Sequence, residues 1–302
     1  MKTYNNLWEK FISKENFEIA LHDSQLGKKK QRQVITFNKN PEVNLEKIRQ
    51  DVIDGRFHTS PYKTMIVFEP KKRVIYKLPY NPDRIVQHAV MNILRPIMEG
   101  LFIYDSYACV EGKGQMRASR RCSQFVRRNQ YCLKCDVHHF YPSIRHDLLS
   151  AMLHKKIKDV RFMRIVDDII FSFEGETNAP IGNYTSQWFG NFYLTALDYY
   201  VKQKLGVKDY LRYCDDFLLF SNNKAELHEL GKLWNDREKT AKGWLVILSM
   251  VLVGLGAFID GLTGVITEAQ VTAIIGYVFS LILIIAGIVT SVIANKAVKK
   301  IE

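Results

Sequence analysis

The sequence predicts an α+β fold, and three observations carry that prediction. Residues 63–78 and 210–220 each read as two short apolar strands around a turn. Residues 131–137 alternate apolar and polar side chains as a half-buried strand does. Elsewhere apolar residues recur at helical spacing, most clearly over residues 85–98.

Taken in order, residues 1–60 are polar and read as helical in part. They contain a basic loop, Gly27-Lys28-Lys29-Lys30, whose ordinary role is a solvated surface and whose alternative is a phosphate contact. Met65-Ile66-Val67-Phe68 and Val74-Ile75-Tyr76 form the first strand pair around Glu69-Pro70-Lys71-Lys72-Arg73. Asn81-Pro82-Asp83 should open a helix, with Asn81 as N-cap, Pro82 at the first helical position and Asp83 at the positive dipole end. Ile85, Val86, Ala89, Val90, Ile93, Leu94, Ile97 and Met98 make its apolar face, and Pro96 should kink or end it. Gly112-Lys113-Gly114 is a loop leading into a basic stretch with Arg117, Arg120, Arg121, Arg127 and Arg128. In the next strand Leu133, Cys135 and Val137 share one face, and Lys134 and Asp136 the other. A helix follows Pro142-Ser143, and a loop at Pro180-Ile181-Gly182 leads into another near Thr185. Tyr210–Tyr213 and 217–220 flank Cys214-Asp215-Asp216 as a hairpin.

The chain has 302 residues, 43 basic and 31 acidic, a formal charge of +12 that suits a polyanionic partner. The charge is uneven. Residues 241–302 hold Lys242, Lys296, Lys299 and Lys300 against Asp260, Glu268 and Glu302, leaving +11 on the first 240 residues. The five cysteines and a polar–apolar N-terminus without a secretory leader argue against a disulfide scaffold and set a reducing, cytoplasmic expectation for the body. Cys132 and Cys135 have zinc-like spacing but lie on a strand without a second pair, so a structural reading is favoured over a metal site. His138 and His139 read as surface or template-side residues, and Cys214 as inert.

Chemistry concentrates in the carboxylates. Asp136 ends a strand, and Asp215 and Asp216 form a hairpin tip. Acidic groups at strand ends cost stability unless neutralised, and two divalent ions would do this while activating an attacking oxygen and stabilising a leaving one. Mg²⁺, with Mn²⁺ as the alternative, suits a few carboxylates plus substrate phosphates.

The order and surroundings of these residues resemble reverse transcriptases. Leu133-Lys134-Cys135-Asp136-Val137-His138-His139-Phe140-Tyr141-Pro142-Ser143-Ile144 resembles their first catalytic palm motif, and Tyr213-Cys214-Asp215-Asp216 their Tyr-x-Asp-Asp motif. Asp105-Ser106-Tyr107-Ala108-Cys109 with Gly112-Lys113-Gly114 is similar to the bacterial branch of group II intron and retron enzymes. Ile181-Gly182-Asn183-Tyr184-Thr185-Ser186-Gln187 departs from the common Gln-Gly-x-x-x-Ser-Pro and resembles the enzymes of diversity-generating retroelements. Those enzymes copy a template RNA into cDNA with errors at template adenines and work with a small basic accessory protein.

The resemblance implies right-hand polymerase fingers and palm, an antiparallel palm sheet backed by helices, running from about residue 57 to 234 after an N-terminal segment of residues 1–56. It implies that Asp136 and Asp215, helped by the Val137 carbonyl, are the main metal ligands, with Asp216 a weaker third carboxylate. Tyr141 would lie under the sugar and exclude a 2′-hydroxyl. Lys71 and Arg73 would grip the incoming dNTP. Ile181, Gly182 and Gln187 would line the nucleotide and template pocket, and Ile181 offers no side-chain hydrogen bond with which to police base-pair geometry. Template RNA and primer are the implied partners.

Residues 235–302 fall outside the resemblance, where the family implies a helical thumb. Residues 243–259 and 271–294 are runs of 17 and 24 residues without a charge. The second is long enough to cross a bilayer as a helix, and the pair reads as an apolar helical hairpin. Basic residues flank the pair and the connecting loop has none, which places both termini in the cytosol if it spans an inner membrane. A buried hairpin in a soluble domain and a foreign fused tail are the other readings. A polymerase, a membrane-anchored nucleic-acid-binding palm protein that no longer polymerises, and an inactive truncated chimera are the functional alternatives.

Overall fold

A computed structural model of the chain describes residues 2–68, 72–137, 139–240 and 251–254. The chain divides into two units, Met1–Leu252 and Val253–Glu302, and every candidate site residue belongs to the first.

Four helices fill the polar N-terminal region: α1 (Trp8–Phe11), α2 (Lys14–Gln25), α3 (Arg32–Phe37) and α4 (Pro41–Ile53). Ser13 caps α2 by accepting the Asn16 N–H at 3.2 Å, and Pro41 opens α4 at a position whose N–H would be orphaned anyway. Phe11, Phe17, Ala20, Val34 and Val52 are fully buried from these helices, so the region is mostly solvated outside and apolar inside.

The first strand pair is an antiparallel ribbon of β1 (Lys63–Val67) and β2 (Arg73–Lys77), with Val67 opposite Arg73. The helix expected to open at Asn81 starts later. Asn81 keeps extended geometry inside a π turn, Tyr80–Arg84, and α5 runs Ile85–Glu99. Asp83 is not a solvated dipole partner: it is fully buried and accepts the Ser60 N–H at 2.8 Å and the Ser60 hydroxyl at 2.7 Å. The apolar face of α5 is buried throughout. Pro96 does not end the helix, which continues for another turn because Ile97 and Met98 are themselves buried.

After α6 (Gln115–Val126) the chain enters β3 (Tyr131–Asp136). It then forms the short α7 (Phe140–Ser143), α8 (His146–Lys156), α9 (Val160–Ile170), α10 (Tyr184–Tyr193) and α11 (Thr195–Tyr199). The hairpin β4 (Asp209–Tyr213) and β5 (Asp216–Ser221) follows, then α12 (Lys224–Thr240) and β6 (Val251–Gly254). The sheet order is β4-β5-β3-β6, with β3–β5 and β4–β5 antiparallel. Leu133 and Cys135 of β3, Phe217 and Leu219 of β5 and Tyr210 of β4 are fully buried in the core of this sheet.

Among the described residues no helix is long and apolar enough to cross a membrane. The apolar runs 243–259 and 271–294 lie outside the described residues except for Val251–Gly254, which is a strand rather than the helix expected there.

Candidate active site

The palm sheet ends in carboxylates. Because β3 and β5 pair antiparallel and in register from the last residue of β3 to the first of β5, Asp136 stands opposite Asp216. Tyr213 also pairs with Asp216, so the turn between β4 and β5 has only two residues, Cys214 and Asp215. Cys214 takes a left-handed φ of 58°, uncommon for a residue with a Cβ and a form of local strain found at functional sites. The turn is thus one residue shorter than the sequence suggested, with Asp216 inside the strand. All three carboxylates occupy one end of the sheet.

What holds this strained turn is a buried arginine that sequence reading missed. Arg212 is fully buried in β4 and donates to the Cys214 carbonyl at 2.9 Å. Its guanidinium makes a two-pronged ion pair with buried Asp198, at 2.8 and 2.7 Å, and bonds Asn191 Oδ1 at 2.9 Å. The Tyr210 hydroxyl also donates to Asp198, at 2.8 Å. The segment with Asp105 and Tyr107 runs beside β4: the Arg212 N–H donates to the Asp105 carbonyl and the Tyr107 N–H to the Arg212 carbonyl. An arginine between apolar strand residues, with an aspartate on the preceding helix, was the available signal.

Burial, and then the neighbouring Asp216 carboxylate, push the Asp215 carboxyl above its usual range, while Arg73 partly offsets them. Arg73 of the β1–β2 ribbon is therefore within electrostatic reach of Asp215. Lys134 lies 3.3 Å from Asp216. Lys71 and His138 lie outside the described residues.

Tyr141 is half-buried beside the turn, its hydroxyl 3.4 Å from Cys214 Sγ, and burial followed by that neighbour pushes its pKa up. Behind it, a Cβ added at Gly190 of α10 would lie 3.0 Å from the Phe140 ring and 3.2 Å from the Tyr141 ring, so Gly190 lets both rings seat on the helix.

The loop of residues 181–183, which leads into α10, is strapped to the β1–β2 ribbon. The Tyr76 N–H donates to the Ile181 carbonyl at 2.7 Å. Gly182 has φ +115°, and a Cβ there would meet Ile75 Cγ2 at 2.7 Å and the Tyr76 carbonyl at 2.9 Å, so glycine is required twice over. Gln187 accepts from Cys109 Sγ at 3.8 Å, and Gly182 and Gln187 both line a cavity of about 340 Å³. Ile181 is not among the residues lining that cavity; Tyr141 lies with the carboxylate turn, and the Val137 side chain is buried next to Asp136.

Among the described residues no three His, Cys, Asp or Glu side chains are gathered closely enough to cage an ion. The donor set still fits a hard divalent cation: it is all oxygen, it sits at one sheet end, and a cation would favour the charged form of an Asp215 carboxyl that burial, and then Asp216, raises.

A family model described as reverse transcriptase (RNA-dependent DNA polymerase) matches residues 62–249. Protein YkfC of Escherichia coli K12 is 25% identical over 181 residues, covering 54% of this chain and 46% of the relative. An uncharacterized 91 kDa protein in the cob intron of Schizosaccharomyces pombe is 25% identical over 177 residues, covering 55% and 22%. A putative COX1/OXI3 intron 2 protein of Saccharomyces cerevisiae is 23% identical over 170 residues, covering 53% and 20%. The chain thus spans less than half the length of these curated relatives. Among solved structures, telomerase from Candida albicans in complex with the TWJ fragment of telomeric RNA has a TM-score of 0.49 at 12% identity, covering 66% of this chain and 43% of that one. With more than half of its residues matched by the family model, and its three aspartates brought to one end of the palm sheet, this chain belongs to the reverse transcriptase (RNA-dependent DNA polymerase) family.

Proposed function

We propose that this chain is an RNA-directed DNA polymerase that extends a primer on an RNA template from dNTPs. The observation that carries the proposal is the register of β3 on β5, which sets Asp136 against Asp216 with Asp215 at the adjoining turn. In the reaction the primer 3′-oxygen, losing its proton, bonds to the α-phosphorus of the dNTP, and the bond to the pyrophosphate leaving group breaks. Asp136, the Val137 carbonyl, Asp215 and Asp216 would hold two Mg²⁺ ions, or Mn²⁺, which supply Lewis-acid charge to the transferring phosphoryl group. Arg73, with Lys71, holds the triphosphate; the ring of Tyr141 forms the floor that excludes a 2′-hydroxyl; Ile181 and Gly182 bound the nascent pair. Primer extension on poly(rA)/oligo(dT) with Mg²⁺ tests this, and no extension by the purified chain would sink it.

Within that activity we propose the diversity-generating type, with errors at template adenines and a small basic accessory protein as partner. The observation behind it is that Ile181 contributes its backbone to the β2 edge and has no polar side chain to read the pair. Ile181→Gln should lower misincorporation opposite adenine; an unchanged error spectrum counts against the subtype.

The apolar composition of residues 243–294 favours a second feature, anchorage of a cytoplasmic body to the inner membrane with both termini cytosolic. If primer extension fails while RNA binding persists, a membrane-anchored nucleic-acid-binding palm protein replaces the polymerase reading.

A further inference from the structure

Two cations act on the carboxylate end of the palm sheet, and they come from different kinds of element. Arg73 belongs to β2 of the separate two-stranded ribbon. Lys134 belongs to the palm sheet itself, on β3, two residues before Asp136.

Residues i and i+2 of a strand share a face, so Lys134 and Asp136 stand on the same side of β3. On the facing strand the register sets Leu218 opposite Lys134 and Asp216 opposite Asp136. Lys134 and Asp216 are therefore diagonal neighbours, a separation that a long side chain spans. The Lys134 Nζ closes that diagonal, 3.3 Å from Asp216 Oδ1. The ion pair is lopsided: the Lys134 side chain is 17% exposed and that of Asp216 43%. The ammonium is set among its sheet neighbours, while the carboxylate keeps an open side from which a second cation can arrive. A carboxylate with one positive charge already beside it attracts a divalent ion less strongly than one without.

The sheet end gathers negative charge around Asp216. Asp136 faces it across the strands, and Asp215 precedes it in the chain. Lys134 supplies this group with one positive charge from a rigid strand, whatever else is bound. We propose that Lys134 is a built-in counter-ion that competes with a divalent cation for Asp216 and so sets how much metal the site needs. Lys134 is a positioning residue: it acts through Asp216 and touches neither primer nor dNTP. The inference rests on the polymerase reading, and it gives a physical cause for the weaker part that Asp216 would take in the metal set.

The test titrates Mn²⁺ alone into the full-length chain and follows loss of the free-ion EPR signal. Lys134→Met keeps the apolar stem and Lys134→Gln a polar end; each should bind Mn²⁺ roughly 3- to 10-fold tighter than the natural chain, because one opposing charge is gone. Lys134→Arg keeps the charge and should bind as the natural chain does. Asp216→Asn should cost more Mn²⁺ affinity in the Lys134→Met background than in the natural chain, because there Asp216 is released to the metal. The half-saturating Mg²⁺ concentration for single-turnover dTTP incorporation should fall by the same factor, with the apparent Kd for dTTP at saturating Mg²⁺ unchanged. Thermal melting without metal shows that each variant is folded. Unchanged or weaker Mn²⁺ affinity in both neutral variants overturns the proposal. So does an equal cost of Asp216→Asn in the two backgrounds, since Lys134 would then act as a distant charge and not through Asp216. Weaker dTTP binding with unaltered Mn²⁺ affinity overturns it too, by placing the ammonium on the substrate. The two readings fail separately: tighter Mn²⁺ binding by the neutral variants of a chain that extends no primer rejects the polymerase alone, and normal extension with unchanged Mn²⁺ affinity rejects the role of Lys134 alone.

Discussion

Asp215 is kept in a place that does not favour its charge. Its carboxyl is raised by burial and by Asp216, so the folded chain takes up that proton more readily than the unfolded one. The stability linked to this proton is fully present below the ordinary carboxylate range and is lost as the pH rises through the raised folded value. At neutral pH, without divalent cations, Asp215→Asn should therefore melt a few degrees higher than the natural chain while losing extension. A lower melting temperature would contradict the crowding account. Extension should also fall on acidification sooner than an ordinary carboxylate would dictate, which a pH–rate profile reads. Arg212 is the opposite case, a charge fully neutralised inside the core. Removing one partner leaves the other buried and unpaired, so Arg212→Met and Asp198→Asn should each cost about 3–5 kcal/mol in denaturant unfolding. Replacing both together should cost less than the sum. Arg212 was missed because its apolar neighbours hint at burial but do not say which carboxylate neutralises it, and Asp198 lies 14 residues earlier on α11.

At the scale of elements, legibility followed how local each determinant is. β3, β4 and β5 were readable because alternation and turn residues are properties of neighbours, and α5 because its apolar stripe is periodic. Its start was not, since Asp83 is recruited by Ser60, a partner 23 residues away. The carboxylate cluster was readable as a motif, yet its geometry depends on the pairing of β3 with β5, which no local pattern states. The fit of α10 behind the Phe140-Tyr141 turn was likewise hidden in a glycine with ordinary helical dihedrals. Gly190→Leu should push Phe140 and Tyr141 off the helix and loosen the sugar floor. The expected readout is a fall in discrimination of dTTP against UTP, larger than the fall in RNA binding; unchanged discrimination would show that α10 does not set the position of Tyr141.

For the whole molecule, charge and apolar content belong to different parts. The first 240 residues carry +11 of the +12, and the uncharged runs lie after residue 242. Fractionation of cells expressing the full chain should place it with membranes, and a chain ending at residue 240 should move to the soluble fraction. Equal partitioning of the two would remove the anchor proposal without touching the active site. The N-terminal helices bury Phe11 and Phe17 in the same core as the palm residues Leu133 and Phe217, so the body should unfold in one transition.

In the proposed function the sheet end bearing Asp136, Asp215 and Asp216 performs nucleotidyl transfer. Single-turnover incorporation of dTTP on poly(rA)/oligo(dT) tests it most directly, with oligo(rA) binding measured on the same samples. Asp136→Asn and Asp215→Asn should each lower the rate roughly 10³-fold, and Asp216→Asn less, with RNA binding retained. Rates within a few-fold of the natural chain in Asp136→Asn or Asp215→Asn would contradict the account.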